Sequence, residues 1–180
     1  MALNIPESLA NLEANCGLFA VWMVLQHHGV QIDVAELIKV CRYDDEGTYT
    51  IALAVALKKL GFEVSFHSDH DPNISPSERM SYKEAKVLRI PTGPALSYRD
   101  IQTETQNGKM VIVYYDTLEG VGNQSLIYSI DQNEICFFDS FEPMSAAVFE
   151  NQRKAEGICR QAVVIGDRNL NIHSTKLNYI

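Results

Sequence analysis

Ten consecutive residues, Cys16-Gly-Leu-Phe-Ala-Val-Trp-Met-Val-Leu25, carry no charge and no strongly polar group. A helix built from them is apolar on every side, so it has to be covered all round rather than lie on a surface. The strictly apolar part, Leu18 to Leu25, falls far short of the roughly 20 residues that cross a bilayer. The run therefore predicts a central core helix from Cys16 to about His28, with Gly29 at its C-terminal cap, and the remaining elements must pack around it.

The segments that follow supply those partners. In Val30–Arg42, Asp33 is a helix N-cap residue and Val34, Leu37, Ile38 and Cys41 fall at helical spacing. In Gly47–Gly61, Thr50 is expected to cap and Gly61 to stop a third helix whose stripe is Leu53, Ala56, Leu57 and Leu60. Phe62, Val64 and Phe66 then alternate at period two, the mark of a half-buried strand. Ser68 to Pro76 reads as a polar loop, Ser77 to Arg89 as a short helix and Ile90 to Pro94 as a turn. Four β-rich runs follow, "MVIVYYD", "QSLIYSID", "EICFFD" and "RQAVVIG", the middle two joined as a hairpin. Helices first and strands second predict an α+β fold, an N-terminal helical layer on a C-terminal antiparallel sheet. The expected organisation is one domain over residues 1–166 and a peripheral tail over 167–180.

Composition narrows the function. The chain has 180 residues, 46% of them hydrophobic, and a net charge of −8 without a long basic run, which opposes a nucleic-acid partner. The N-terminal residues lack the basic and apolar regions of a secretory signal. Cys16, Cys41, Cys136 and Cys159 are widely spaced, which disfavours a zinc site or a disulfide framework. The expectations are a cytoplasmic protein, or one exported without a signal peptide, with no membrane segment and no cofactor. "HSDHD", residues 67–71, reads as a solvated loop rather than a metal site.

Cys16 is the chemical question. Cysteine is among the most buried residue types, and packing alone would account for it. A thiol at a helix N-terminus also meets unpaired backbone N–H groups and the positive end of the helix dipole, which favour thiolate and can hold an oxyanion. Asn15 is placed to cap that helix, and Gly17 leaves the backbone open to close approach.

The order of "NCGL" helix start, "VAELIKVC", "GT" before "IALAVALKKLGFEV", then "GKMVIVYYD" and "FFDSF", resembles the papain-like cysteine peptidases. It is most similar to the bacteriocin-processing, double-glycine-leader peptidases and their relatives, which include effector-type deamidases. The resemblance spans Leu9 to Gly166. It implies that Cys16 is the nucleophile and Asp139 the acid that orients a base. It also implies a histidine opening the strand after a glycine turn, where this chain has "GVGNQSLIYSI". Asn123, or Gln124 in the alternative register, stands at that position. The family's oxyanion glutamine is likewise missing, leaving Asn11 and Asn15 as amide donors.

An amide can orient a group but cannot carry a proton near neutral pH, whereas papain-type chemistry needs imidazolium to protonate the leaving amine. His27 and His28 lie about 17 Å along the helix from Cys16 at roughly 1.5 Å per residue. His67, His70 and His173 reach the site only by an arrangement foreign to the family. Two functions follow: a degenerate relative that binds a peptide or protein in the old cleft, or an active thiol hydrolase, a cysteine peptidase or glutamine deamidase. An Asn123 introduced in place of histidine would leave the same sequence.

Overall fold

The computed structural model describes residues 4–140 and 142–169. A short helix α1 (Glu7–Ala10) leads into α2 (Cys16–His27), α3 (Val34–Cys41) and α4 (Thr50–Lys59). Strand β1 (Phe62–Ser68), helix α5 (Pro76–Val87), strand β2 (Thr92–Pro94) and helix α6 (Tyr98–Gln106) follow. The described residues end with β3 (Met110–Asp116), β4 (Gly122–Ile130), β5 (Glu134–Phe137), β6 (Met144–Ser145), α7 (Ala146–Gln152) and β7 (Ala162–Arg168).

The strands form one sheet in the order β2-β1-β7-β3-β4-β5-β6. Every pairing is antiparallel except β1 with β2. Ile90–Pro94 is thus no mere turn: Thr92–Pro94 adds a parallel edge strand, with Phe66 opposite Thr92. The sheet also runs two residues past Gly166, where the tail was expected to start, because Phe62 pairs with Arg168. The rest of the expected tail, from residue 170 on and including His173, lies outside the described residues.

Alternation along the strands sorts two cores. Ile112, Leu126, Val163 and Ile165 face α2 and α4, where Leu18, Val21, Val24 and Leu25 are fully buried. At about 1.5–3 kcal/mol for each buried aliphatic side chain, that helix anchors the fold. Val111, Val113, Tyr115, Ile127 and Phe137 point the other way and meet Ile101 of α6 and Phe149 of α7. The second helical layer was not expected from the sequence. Its helix α6 is polar and buries only Ile101, and it is set by a capping box in which Ser97 and Asp100 serve each other's backbone N–H.

Local chemistry explains the ends. Asp33 Oδ1 accepts from Ala35 N at 2.8 Å, as expected of the α3 cap. Thr50 does not cap α4: it is the first helical residue, and its hydroxyl serves the site described next. Between β4 and β5, Asp131 Oδ1 accepts from Asn133 N at 2.7 Å and Glu134 N at 2.9 Å, which turns the hairpin and sets Ile130 opposite Ile135.

Candidate active site

Cys16 is the first residue of α2, and the helix begins where Phe19 N donates to Asn15 O at 2.9 Å. The Asn15 side chain does not cap the helix. Its Nδ2 donates backwards to Leu9 O at 2.9 Å, fastening the entry to α1. The same commitment removes it as an oxyanion donor. Asn11 is exposed at the end of α1 and lines none of the groove around Cys16.

That groove, about 320 Å³, is walled by Ala14, Cys16, Glu46, Thr48, Tyr114 and Gln124, with Val121 to Asn123 closing one side. The Sγ of Cys16 meets Gln124 Oε1 at 3.9 Å. Gln124 is 3% exposed, and its Nε2 donates to Thr48 O and to Thr50 Oγ1, each at 2.9 Å. Gly17 makes room for it. A β-carbon there would fall far inside contact with Gln124 Oε1 and 2.5 Å from Thr48 Cγ2. The close approach that Gly17 permits is therefore taken by this carboxamide.

Asn123 points to the opposite face of β4. Its Nδ2 donates to Ser125 Oγ at 2.9 Å, to Tyr115 Oη at 3.0 Å and to Asp139 Oδ2 at 3.4 Å. Ser125 Oγ in turn donates to Asp139 Oδ2 at 2.8 Å. Asn123 and Asp139 do meet at one end of the sheet, but Asn123 does not face the thiol. Of the two positions read as equivalent to the histidine, Gln124 is the one whose side chain reaches Cys16. Thr48, Thr50, Ser125 and Tyr115 were not singled out as residues of the site. Ser125 was findable, since a strand places residues two apart on one face.

Burial pushes the Cys16 thiol up from its ordinary range; backbone hydrogen bonding at Gln124 and Gly17 pulls it down less, and Asp139 adds to the rise. This is the reverse of the activation that a helix N-terminus suggests, because desolvation of a thiolate outweighs those donors. No described histidine comes near. His67, on β1, bonds through its ring nitrogens to Ser65 Oγ at 3.1 Å and Pro94 O at 3.2 Å, and β7 and β3 separate it from β4. His28 lies edge-on to Phe62 at the far end of α2. In the 67–71 loop, Arg160 grips Asp69 through two bonds of 2.7 and 2.8 Å, and Asp71 accepts from Asn73 N. Among the described residues no group of His, Cys, Asp and Glu is placed to hold a metal ion. Cys41 is buried in the core, with Cys136 and Cys159 half-buried.

Residues 6–82 match the model of the Peptidase C39 family. Among solved structures, the chain is similar to the peptidase domain of Streptococcus ComA, a bi-functional ABC transporter involved in a quorum-sensing pathway. That match has a TM-score of 0.53 and 18% sequence identity over 86% of this chain and 93% of the other. No curated protein sequence matches. The fold is the α+β fold of the papain-like cysteine peptidases, as the sequence motifs imply. Among the described residues no helix is long and apolar enough to cross a membrane.

Proposed function

We propose that this chain is a papain-like peptidase relative whose hydrolytic centre is degenerate, and that its groove holds a peptide or protein segment without cleaving it. The observation that carries this reading is the carboxamide of Gln124 set against Cys16. Thr48 O can only accept, so Nε2 must face it and Oε1 must face the thiol. An amide oxygen receives the S–H hydrogen bond but does not remove the proton, and it has none to return to a leaving amine. Asp139, held by Ser125 and Asn123, has no imidazole to orient among the described residues. What remains is a concave groove beside a protonated thiol, bordered by Tyr114 and Val121, shape and surface suited to an extended peptide.

The test is the reactivity of Cys16, followed residue by residue by mass spectrometry. Native protein treated with iodoacetamide near pH 5 should leave Cys16 unlabelled over times that label a His-paired thiolate completely, whose pKa can fall to about 3–4. Gln124→His should accelerate labelling by at least about tenfold, since one pKa unit multiplies the thiolate fraction by ten. Rapid labelling of the unaltered protein, or cleavage of a fluorogenic peptide mixture that Cys16→Ala abolishes, would overturn the reading. Peptides enriched from a display library should be lost from Val121→Arg, which places a charged chain in the groove wall.

A further inference from the structure

Gln124 is more than a replacement for a base. Its nitrogen is gripped by Thr48 O and Thr50 Oγ1, and its oxygen is turned to the Cys16 sulfur. The thiol therefore lies against the oxygen of a carboxamide whose nitrogen is anchored, with the carbonyl carbon one bond beyond that oxygen. That oxygen occupies the space that a Gly17 side chain would fill, against the first turn of α2, where leading N–H groups lack intrahelical partners and the dipole favours negative charge. A thiol, an acyl carbon and a nitrogen leaving group are thus brought together. From this geometry we propose that Cys16 and Gln124 condense into an internal thioester. The inference rests on the reading above only in that no imidazole competes for the thiol.

The reaction balances without a co-reactant. Sγ adds to Cδ of Gln124, the S–C bond forms, and the carbonyl electron pair moves to Oε1. The intermediate collapses by breaking Cδ–Nε2, and the nitrogen departs as ammonia with the thiol proton. Nothing is oxidised or reduced. Effective concentrations of about 10⁵–10⁸ M for well-oriented intramolecular groups favour the step, and escape of ammonia to solvent draws it forward. The product is an electrophile opening on the groove. A primary amine attacking Cδ forms a C–N bond, breaks C–S and returns the Cys16 thiol, so the acceptor is an amine such as a lysine side chain. Glu46, on the groove wall, favours the approach of a cation.

Intact-mass measurement of the full chain tests this. The unaltered protein should be lighter than its sequence by one ammonia, and a peptide digest should contain Cys16 and Gln124 joined. Methylamine should restore a single free thiol and add one N-methyl group at Gln124. Cys16→Ala and Gln124→Met should each have the full sequence mass; either alone suffices if the other does not fold. Asn107-Gly108 can also lose ammonia by closing a succinimide, so a deficit that persists in both variants overturns the proposal. So does an unaltered protein of full mass whose Cys16 alkylates in urea without methylamine. That second outcome leaves the degenerate reading standing, whereas peptide cleavage through Cys16 would sink that reading instead.

Discussion

Gly17→Ala puts the packing around the carboxamide to a direct test. The added methyl would lie far inside contact with Gln124 Oε1, 2.5 Å from Thr48 Cγ2 and 3.3 Å from Gln124 Cδ. Alanine is the better helix former by up to about 1 kcal/mol, so propensity alone predicts stabilisation. Overpacking a filled site costs about 1–3 kcal/mol, and displacing Gln124 leaves a buried amide unpaired at about 1–3 kcal/mol more. Steric and polar costs win, for a net loss of about 1–5 kcal/mol. With a urea slope of about 2 kcal/mol per molar, the unfolding midpoint should fall by about 0.5–2.5 M. The measurement belongs in a Cys16→Ala background, so that residue 16 cannot be joined to Gln124. Repeating it with Gln124→Ala should recover about 1–3 kcal/mol as coupling between the two positions. An unchanged or raised midpoint, or additive effects, would refute the assignment of Gly17 as the space for Gln124.

Thr50→Val removes one acceptor of Gln124 Nε2 while keeping shape, and should lower stability by about 1 kcal/mol, read from urea unfolding. Arg153→Met strands the Leu96 and Arg160 carbonyls and Glu150, which a fully buried guanidinium now serves; a loss of about 3 kcal/mol in the same assay is expected. Cys41, whose thiol burial pushes up to about 12, should resist a disulfide reagent at pH 8 in the native protein and react only once urea unfolds it. Arg160 holds the Asp69 carboxyl below the usual carboxylate range. Its contribution is present above the ordinary pKa of 3.8 and lost as pH falls through the lower folded value. Arg160→Gln should therefore be less stable than the parent near neutrality, with the gap closing in acid-unfolding curves.

Elements written by local pattern were legible. The apolar run names α2, Asp33 names the start of α3, the period-two segment names β1, and the β-rich runs name β3 and the β4–β5 hairpin. β2 was hidden because its pairing with β1 is made across an intervening helix, and proline and glycine in it signal a turn. At the site, Cys16 and Asp139 could be located, but the choice between Asn123 and Gln124 could not. A one-residue slip exchanges the faces of a strand, and the adjacent Leu126 and Ile127 are both buried, one in each core. Only the sheet decides that Leu126 looks toward α2, which places Gln124 two residues earlier on the thiol side. Thr48 and Thr50 were invisible as partners because they lie 76 and 74 residues from Gln124.

The position of β7 bears on how the chain is made. Of the strands among the described residues this one leaves the ribosome last, yet it sits between β1 and β3 and supplies the only pairing there that joins the two flanks of the sheet. Until residues 162–168 emerge, β1 with β2 and β3 with its hairpin are separate ribbons, each with an open edge able to pair with another nascent chain. The helical half that carries Cys16 is synthesised early but gains a closed surface to rest on only at the end. A stalled or truncated product therefore exposes the apolar faces of both cores together, and the cell meets it as a client for chaperones rather than as a smaller domain.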